Sequence, residues 1–484
     1  MPTLMPRHIL MLLSAFWAGP LLAADLAILN GRVMDPETGL NAVRHVLIDK
    51  GRIIAVSETP VTADRVIDAQ GLVVAPGFID LHAHGQDLIS NRFQAADGVT
   101  TALELEIGVW PVRHYYASRK GRNLLNYGTT VSHPVARHAA VMGDEDVSGE
   151  QDTYRLQAFA SPSARRPTSD TELDYTLELL REGMAEGALG FGFGITYTPG
   201  ASHEEIYRAF AEAAELKALT FVHVRSAAMM GGDRLAPIQE ILASAFATGA
   251  SLHIVHLNSS TDTAVKTAMQ MIRGAQQRGL DVTTESYPYS AGSTLIQSAL
   301  FDNWRANYER LQWSATGERL TETSFDTYRK QGGFVIIHGR SEAHNNWLVA
   351  QPDVIVASDG ITFALGASHP RGAGTFARIL GHYVREQQAL DLMTALRKMT
   401  LLPAQRLEQV APSMRRKGRV QVGMDADLTL FDPARVIDRA TYENSMQFSN
   451  GIEHVLVGGV PVVAAGKLVE GVFPGQPIYG RLRE

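Results

Sequence analysis

The sequence predicts an α/β fold: a (β/α)8 TIM barrel joined to a small β-sandwich domain built from both chain termini. Two observations lead to this prediction. Short apolar segments alternate with amphipathic segments through the middle of the chain, and β-rich segments flank that middle on both sides. Regular β-then-α alternation is typical of a parallel sheet covered by helices, and eight such units close a barrel.

Eight apolar runs of strand length supply the predicted barrel strands. They are LVVAPGFIDL (72–81), TTALELE (100–106), GTTVSH (128–133), ALGFGFGI (188–195), TFVHV (220–224), LHIVHL (252–257), DVTTES (281–286) and VIVAS (354–358). Helical patterns lie between them. The stretch SDTELDYTLELLREGMAEG opens with a capping-box pair, Ser169 and Glu172, and places Leu173, Leu177 and Leu180 on one helical face.

The two flanks of the chain have a pattern of short strands and turns instead. Strand-like runs broken by the hairpin signals Asn-Gly and Lys-Gly occur near the N-terminus, in DLAILNGRVMD and HVLIDKGRIIAVS. A similar pattern of strands and turns recurs near the C-terminus, in RVQVGMDADLTLFD and GIEHVLVGGVPVVAAGKLV. We therefore assign residues 25–72 and 405–484 to the β-sandwich domain and residues 73–404 to the barrel. An aromatic-rich insertion at about 290–350, which contains FVIIHGRS, is expected to form a lid near the barrel mouth.

Composition narrows the class of protein. The 484 residues are 45% hydrophobic and 20% charged, with a formal net charge of −7, as expected of a globular chain. The negative charge and the absence of a basic run argue against a nucleic-acid partner. The chain has no cysteine, so any metal must be held by His, Asp, Glu or a modified Lys.

The first residues have the pattern of a secretory signal peptide. Arg7 and His8 precede a mostly apolar run of 14 residues from Ile9 to Leu22, which Ala23-Ala24 follow. The run is short for a membrane span. We expect residues 1–24 to be a signal peptide and the protein to be secreted to the periplasm, without stable membrane association after cleavage. A retained anchor is the alternative, because the two look alike in sequence.

Metal-capable side chains cluster at the predicted strand ends. In GFIDLHAHGQD, strand alternation directs residues i and i+2 into the same space. The strand ends of a barrel meet at one face, and buried imidazoles and carboxylates are costly unless paired or ligated. The sequence therefore predicts one shared metal centre. Its candidate residues are His82, His84, Glu104, Glu106, His223, His256 and Asp359.

The position of a residue along its strand decides which side chains are preferred as ligands. Glu106 is preferred to Glu104 as a ligand because it is nearer the C-terminal end of its strand. His253, three residues before His256, points the opposite way and is interpreted as structural. His133 is interpreted as a supporting residue, with substrate contact as the alternative. Three further histidines are assigned surface or packing roles: His45, His338 and His454.

Several segments resemble those of the amidohydrolase superfamily and, within it, the N-acyl-D-amino-acid deacylase (D-aminoacylase) family. They include GFIDLHAHGQD, FVHVRS, IVHLNSS, ASDG and SHPRGAGTFARILGHYVRE, and the likeness extends over most of residues 25–480. The resemblance implies zinc. It implies His82, His84, His223 and His256 as ligands, and Asp359 as both ligand and general base.

The resemblance also implies residues that bind substrate. Arg371 would grip the substrate carboxylate, with Tyr287 and Ser293 of YPYSAGS as hydrogen-bonding partners. His369, at the start of the same loop as Arg371, is a candidate substrate contact as well. Asn258 is a further candidate contact. It stands where some relatives carry a lysine thought to read an acidic side chain, which weakens the case for D-glutamate derivatives.

The chain departs from the family pattern at one expected ligand. The family commonly places a cysteine after the second strand, whereas this chain has ELEIG, so Glu106, with Glu104 as the alternate, would replace it. A carboxylate can bridge two metals, and a binuclear zinc site is therefore favoured over a single ion.

The resulting prediction is an enzyme that acts on a small molecule. It would hydrolyse the amide bond of N-acyl amino acids, of D configuration, or of related carboxylate-bearing amides, by metal-bound hydroxide. A cyclic-amide hydrolase or a dipeptidase on the same scaffold is the alternative within enzymes. A non-catalytic secreted metal-binding protein is disfavoured because it would have no need to keep Asp359. The acyl group, the side-chain preference and the oligomeric state do not follow from the sequence.

Overall fold

The computed structural model describes residues 24–143 and 157–483, so the predicted signal peptide lies outside the described residues apart from Ala24. Eight parallel strands form the central barrel, and they pair in chain order. Their bounds are Phe78–Asp80, Val99–Val109, Asn126–Ser132, Gly190–Gly194, Leu219–His223, Ser251–Ile254, Val282–Ser286 and Ile355–Val356. We number them as barrel strands one to eight.

The first and eighth barrel strands meet just beyond their C-terminal ends. Ala83 forms a parallel bridge with Gly360, and the backbone N–H of His84 donates to the carbonyl of Gly360 at 2.8 Å. This contact nearly closes the ring at the end where the candidate ligands lie. The predicted fold class is confirmed.

The segment predicted as a single strand over 72–81 is two strands. Val73–Pro76 belongs to the sheet formed by the chain termini, and only Phe78–Asp80 enters the barrel. Gly77 separates them where the backbone runs against Thr100: a Cβ at position 77 would lie 2.2 Å from the Thr100 Oγ1 atom. Only glycine fits this close approach, which lets the chain leave one sheet and enter the next.

Helices cover the barrel, and one of them begins at the predicted cap. The predicted capping box is present: the Ser169 hydroxyl accepts from the backbone N–H of Glu172 at 3.3 Å, and the Glu172 carboxylate accepts from the Ser169 N–H at 2.7 Å. The helices described are Leu88–Ala96, Val112–Arg119, His133–Met142, Asp170–Ala185, His203–Glu215, Ala236–Thr248, Leu257–Thr261, Val265–Gln277, Glu322–Gln331, Glu342–Val349, Arg371–Arg378, Leu392–Met399 and Leu401–Leu407. Among them, none has the length and hydrophobicity needed to span a bilayer.

Both ends of the chain build a separate nine-stranded sheet. The junction between the two flanks is the antiparallel pairing of Leu428–Phe431 with Val73–Pro76, in which Leu430 lies opposite Val74. Its strands are Ala24–Asp35, Leu40–Asp49, Arg52–Ser57, Ala63–Asp68, Val73–Pro76, Leu428–Phe431, Ile452–Val457, Val460–Ala464 and Lys467–Leu468. The pairing confirms that the β-rich flanks fold together.

The segment between barrel strands seven and eight forms a small sheet of its own. Gly292–Leu295 and Leu311–Trp313 both pair antiparallel with Phe334–Ile337. An apolar cluster that includes Phe301 and Trp313 fills the space beside this sheet. We call residues 290–350 the insertion.

Candidate metal centre

Glu106 lies at the middle of the candidate site. It projects from barrel strand two, whose eleven residues are all buried, and its own exposure is 2%. One carboxylate oxygen faces the histidines of barrel strand one, and the other faces those that end strands five and six. The candidate ligands therefore divide into two groups that share Glu106.

The first group combines the His-x-His pair with two carboxylates. Nε2 of His82 and Nε2 of His84 each lie 3.0 Å from the Glu106 Oε2 atom. The same two nitrogens are 3.0 Å from each other. Asp359 completes the group, with Oδ1 at 3.4 Å from the His82 Nε2 atom and 3.6 Å from that of His84.

The second group forms around the other oxygen of Glu106. Oε1 lies 2.5 Å from the Nδ1 atom of His223 and 2.9 Å from the Nε2 atom of His256. These two nitrogens are 3.1 Å apart. Each group thus offers imidazole nitrogens and carboxylate oxygens, which are the donors that Zn²⁺ and similar ions take in the absence of cysteine.

Two further carboxylates fix the orientation of the His-x-His pair. Nδ1 of His82 lies 2.5 Å from the Glu285 Oε1 atom. Nδ1 of His84 lies 2.9 Å from the Glu104 Oε2 atom. In a neutral imidazole, a carboxylate beside Nδ1 keeps the proton on that nitrogen and leaves Nε2 with a lone pair. Both lone pairs then point at the same space, an arrangement that a cation stabilises, so the donor set fits a metal ion.

The backbone is strained at two of the candidate ligands. His256 has φ +30° and Asp359 has φ +52°, in the left-handed region that side chains other than glycine rarely occupy. They follow barrel strands six and eight, where the sharp turn directs each side chain toward Glu106. Such strain costs on the order of 1–3 kcal/mol per residue and is typical of functional sites.

The electrostatics of the group are those of tightly packed opposite charges. Burial lowers the pKa of His84, but the carboxylates of Glu104, Asp359 and Glu106 together outweigh that effect and raise the pKa to about 10. Burial likewise disfavours the ionised form of Glu106, yet His82 and His223 hold its pKa well below the usual range. Histidine protons therefore balance the carboxylate charge in the metal-free protein. A divalent ion would replace them, which is how metal binding releases protons.

Arg371 is bound to the candidate general base. Its Nη2 atom lies 2.8 Å from the Oδ1 atom of Asp359 and also donates to the carbonyl of Ser293 at 3.2 Å. Burial raises the pKa of Asp359, but Arg371 and the imidazoles of His82 and His84 together outweigh that effect, so the pKa is lowered. The carboxylate of Asp359 is thus held ionised beside the first group of ligands.

A cavity of about 660 Å³ opens onto the cluster. His84, Glu106, His223, His256 and Asp359 all contribute to its wall. The insertion supplies a second wall, and the apolar part of that wall is formed by Leu295, Leu300, Trp304, Phe334 and Ile337. A small molecule in this cavity would lie between the cluster and the insertion.

Comparison with known proteins identifies the family. The model of the amidohydrolase family matches residues 65–302 and 340–463. The chain belongs to the amidohydrolase family. The predicted membership is thereby confirmed, and the unmatched gap falls inside the insertion.

Individual relatives point to deacylases. N-acyl-D-glutamate deacylase of Alcaligenes xylosoxydans xylosoxydans is 29% identical over 90% of this chain and 93% of its own length. D-aminoacylase of the same organism is 28% identical over 90% of this chain and 94% of its own. The solved N-acyl-D-glutamate deacylase of Bordetella bronchiseptica, complexed with zinc and a phosphonate inhibitor, superposes with a TM-score of 0.78 at 25% identity, covering 94% of this chain and all of that one.

Not every residue predicted to bind substrate lines the cavity of this amidohydrolase. Arg371 and Ser293 do, whereas Tyr287, Asn258 and His369 are not among the described residues of its wall. The Nδ2 atom of Asn258 donates to the carbonyl of Tyr287 and to Asn345 at 2.8 Å. His369 is fully buried, and its Nε2 atom lies 3.1 Å from the carbonyl of Ala291. Asn258 and His369 thus support the wall from behind.

His253 and His133 both lie outside the two ligand groups. The Nε2 atom of His253 lies 3.0 Å from the Glu285 Oε2 atom. His133 is buried against Glu205, with its Nε2 atom 2.9 Å from the Oε1 atom. His253 therefore belongs to the support of the cluster, and His133 belongs to a separate buried pair.

Sequence reasoning missed two polar residues at the site. One is Glu285, which a simple signal would have found: a carboxylate inside the strand DVTTES is as unusual as those in TTALELE. The other is Arg340, a cavity residue of the insertion. No local pattern marks it, because its position depends on contacts between distant segments.

Proposed function

We propose that this amidohydrolase hydrolyses the amide bond of linear N-acyl amino acids, of D configuration, with zinc as its metal. Three observations support the proposal: the family, the similarity to deacylases over nearly the whole chain, and a buried donor cluster that opens into a cavity of substrate size. The one that carries it is the sharing of Glu106 between two groups of histidines beside Asp359.

One ion would be held by His82, His84, Glu106 and Asp359. A second ion would be held by Glu106, His223 and His256. Because each group uses a different oxygen of Glu106, the carboxylate is suited to bridge the two, and we favour a binuclear centre. Zinc bound there would lower the pKa of water and polarise the amide carbonyl.

Asp359 is the proposed proton carrier. Its Oδ1 atom, held ionised by Arg371, accepts a proton from the attacking water. Once protonated, the same carboxyl donates to the nitrogen of the departing amine, which makes that nitrogen a better leaving group. Asp359 thus moves one proton from water to product amine in each turnover, and the cycle needs no other acid.

The residues that line the cavity match a substrate with both an apolar group and a carboxylate. The apolar residues of the insertion suit an aliphatic or aromatic acyl group or side chain. Arg371 suits a carboxylate, since a guanidinium binds it through two parallel hydrogen bonds. Asn258 offers no positive charge, so we do not favour an acidic side chain.

We further propose that the N-terminal segment directs the protein to the periplasm. The support is the sequence pattern of residues 1–24. Fractionation of expressing cells, with N-terminal sequencing of the recovered protein, tests this. A protein that keeps Met1 and stays in the cytoplasm would contradict it.

The activity is tested with paired D and L forms of N-acetyl amino acids, with and without a chelator. We expect release of the free D-amino acid, loss of turnover on chelation, and recovery on addition of Zn²⁺. Turnover that survives complete metal removal would contradict the mechanism. Exclusive cleavage of cyclic amides would contradict the substrate class.

A further inference from the structure

Arg340 lies at the cavity with an uncompensated charge. It follows strand Phe334–Ile337 of the insertion, is partly exposed, and lines the cavity. Its Nη1 atom donates to the hydroxyl of Tyr287 at 2.8 Å. Within the part of the chain that the structure describes, Arg340 forms no ion pair. Two neighbours on the same cavity do: Arg371 pairs with Asp359, and Arg225 pairs with Glu240 at 2.8 Å.

The backbone beneath Arg340 leaves space for its guanidinium group. A Cβ at Gly292 would lie 2.6 Å from both Nη1 and Nη2 of Arg340. Any side chain at position 292 would therefore displace the guanidinium from its contact with Tyr287. The position of Arg340 thus depends on a glycine of the neighbouring strand, and not only on its own loop.

Arg340 and Arg371 approach the same tyrosine from different sides. Arg340 binds the hydroxyl of Tyr287, whereas the guanidinium carbon of Arg371 lies 4.8 Å from the centroid of its ring. Arg371 is already engaged by Asp359. Of the two guanidinium groups beside Tyr287, Arg340 is therefore the one that a carboxylate entering the cavity finds without a carboxylate partner among the described residues.

We infer that Arg340 is a specificity-determining residue that binds the substrate carboxylate, alongside Arg371, and so selects acids over neutral amides. This inference rests on the proposed function. An arginine with one face bound to a tyrosine hydroxyl keeps other N–H groups available, and its planar fork matches a carboxylate. The insertion would then contribute recognition of charge as well as an apolar wall.

The test compares two substrates in two proteins. Wild type and Arg340→Met are assayed with an N-acetyl-D-amino acid and with its α-carboxamide, which lacks the charge. We expect Arg340→Met to lose roughly 10- to 100-fold in kcat/KM on the acid, the loss of one charge-assisted interaction, mainly through KM. On the carboxamide the loss should stay within about twofold. Equal losses on both substrates would overturn the inference.

Two further variants separate charge from position. Arg340→Lys keeps the charge and should restore part of the preference for the acid. Gly292→Ala keeps Arg340 but pushes the guanidinium aside, and should also weaken the preference. It supplies the same comparison should Arg340→Met fail to fold.

Arg310→Met is the matched control. Arg310 also lines the cavity, but its Nε atom is bound to the carbonyl of His338 at 2.9 Å. It should keep the wild-type ratio of acid to carboxamide. A ratio as low as that of Arg340→Met would overturn the assignment to Arg340. If wild type cleaves neither substrate nor any other N-acyl amino acid, the proposed function itself fails and the inference with it.

Discussion

The Oε1 atom of Glu285 lies 2.5 Å from the Nδ1 atom of His82. Its other oxygen, Oε2, accepts from the Nε2 atom of His253 at 3.0 Å, so both oxygens of this fully buried carboxylate are bound. Glu285 therefore joins barrel strands one, six and seven below the cluster. It holds the His82 ring with Nε2 directed at Glu106.

We predict that Glu285→Gln weakens metal binding by about 10- to 100-fold, the range typical of residues that orient a ligand. The amide keeps the shape of the side chain but loses the charge that keeps the proton on the His82 Nδ1 atom. Titration of the metal-free protein with Zn²⁺ against a competing chelator measures the effect. An affinity equal to that of wild type would contradict the role of Glu285.

Glu205→Gln is the control for this prediction. Glu205 is also buried and also bound to a histidine, His133, but lies outside both ligand groups. It should lower stability without changing the affinity for Zn²⁺. A similar loss of affinity in both variants would mean that the effect on binding comes from general destabilisation.

The two glutamates of TTALELE are predicted to behave differently. Glu106→Ala removes the one residue that both groups share, so the purified protein should retain less than one equivalent of metal. Glu104→Gln should retain the full number of ions at lower affinity, because Glu104 acts through His84. Elemental analysis of the two variants distinguishes these outcomes. Full metal content in Glu106→Ala would show that Glu106 is not a metal ligand.

Most of the cluster could be predicted because strand geometry is simple. Alternation along a strand puts His82 and His84 on one side, and the common C-terminal end of a barrel brings His223 and His256 to them. The same reasoning could not predict which histidine nitrogen each of Glu104 and Glu106 contacts. The structure separates them, since Glu104 lies beside the Nδ1 atom of His84 and Glu106 beside the Nε2 atom.

Prediction from sequence was weakest where a residue acts through a distant partner. Asn258 follows a strand that ends in the cluster, yet its hydrogen bonds to Tyr287 and Asn345 direct it away from the cavity. Arg340 reaches the cavity only because the insertion folds back over Gly292. No local sequence pattern marks the position of either side chain, so neither position could be predicted from a single segment.

Asp359→Asn is predicted to abolish turnover while metal remains bound. Asparagine can still offer an oxygen, but it cannot accept the proton of the attacking water or pass it to the amine. We expect kcat to fall by at least 100-fold, in the range of general acid–base catalysis, with metal content close to that of wild type. Near-wild-type activity with metal bound would show that Asp359 is not the base.

Lys398 is predicted to make stability depend on pH above neutrality. It is fully buried, and its Nζ atom donates to the carbonyl of Val349 at 2.5 Å and to that of Gln351. Burial lowers its pKa from the usual 10.5 to about 7, because only Asp353 offsets the loss of hydration. Between these values the unfolded chain binds a proton that the folded chain does not. Stability should therefore rise with pH from about 7 to 10.5, by at most about 1.4 kcal/mol per pH unit.

Lys398→Met removes this titration and should flatten the dependence. Denaturant unfolding at several pH values between 7 and 10 gives the free energy of unfolding of each protein, and the difference between wild type and variant isolates the lysine. Other groups that titrate in this range cancel in that difference. Lys330→Met, at an exposed lysine on helix Glu322–Gln331, should leave the slope unchanged. If the Lys398→Met difference is constant with pH, Lys398 remains charged inside the protein, and its two carbonyl partners compensate for its burial.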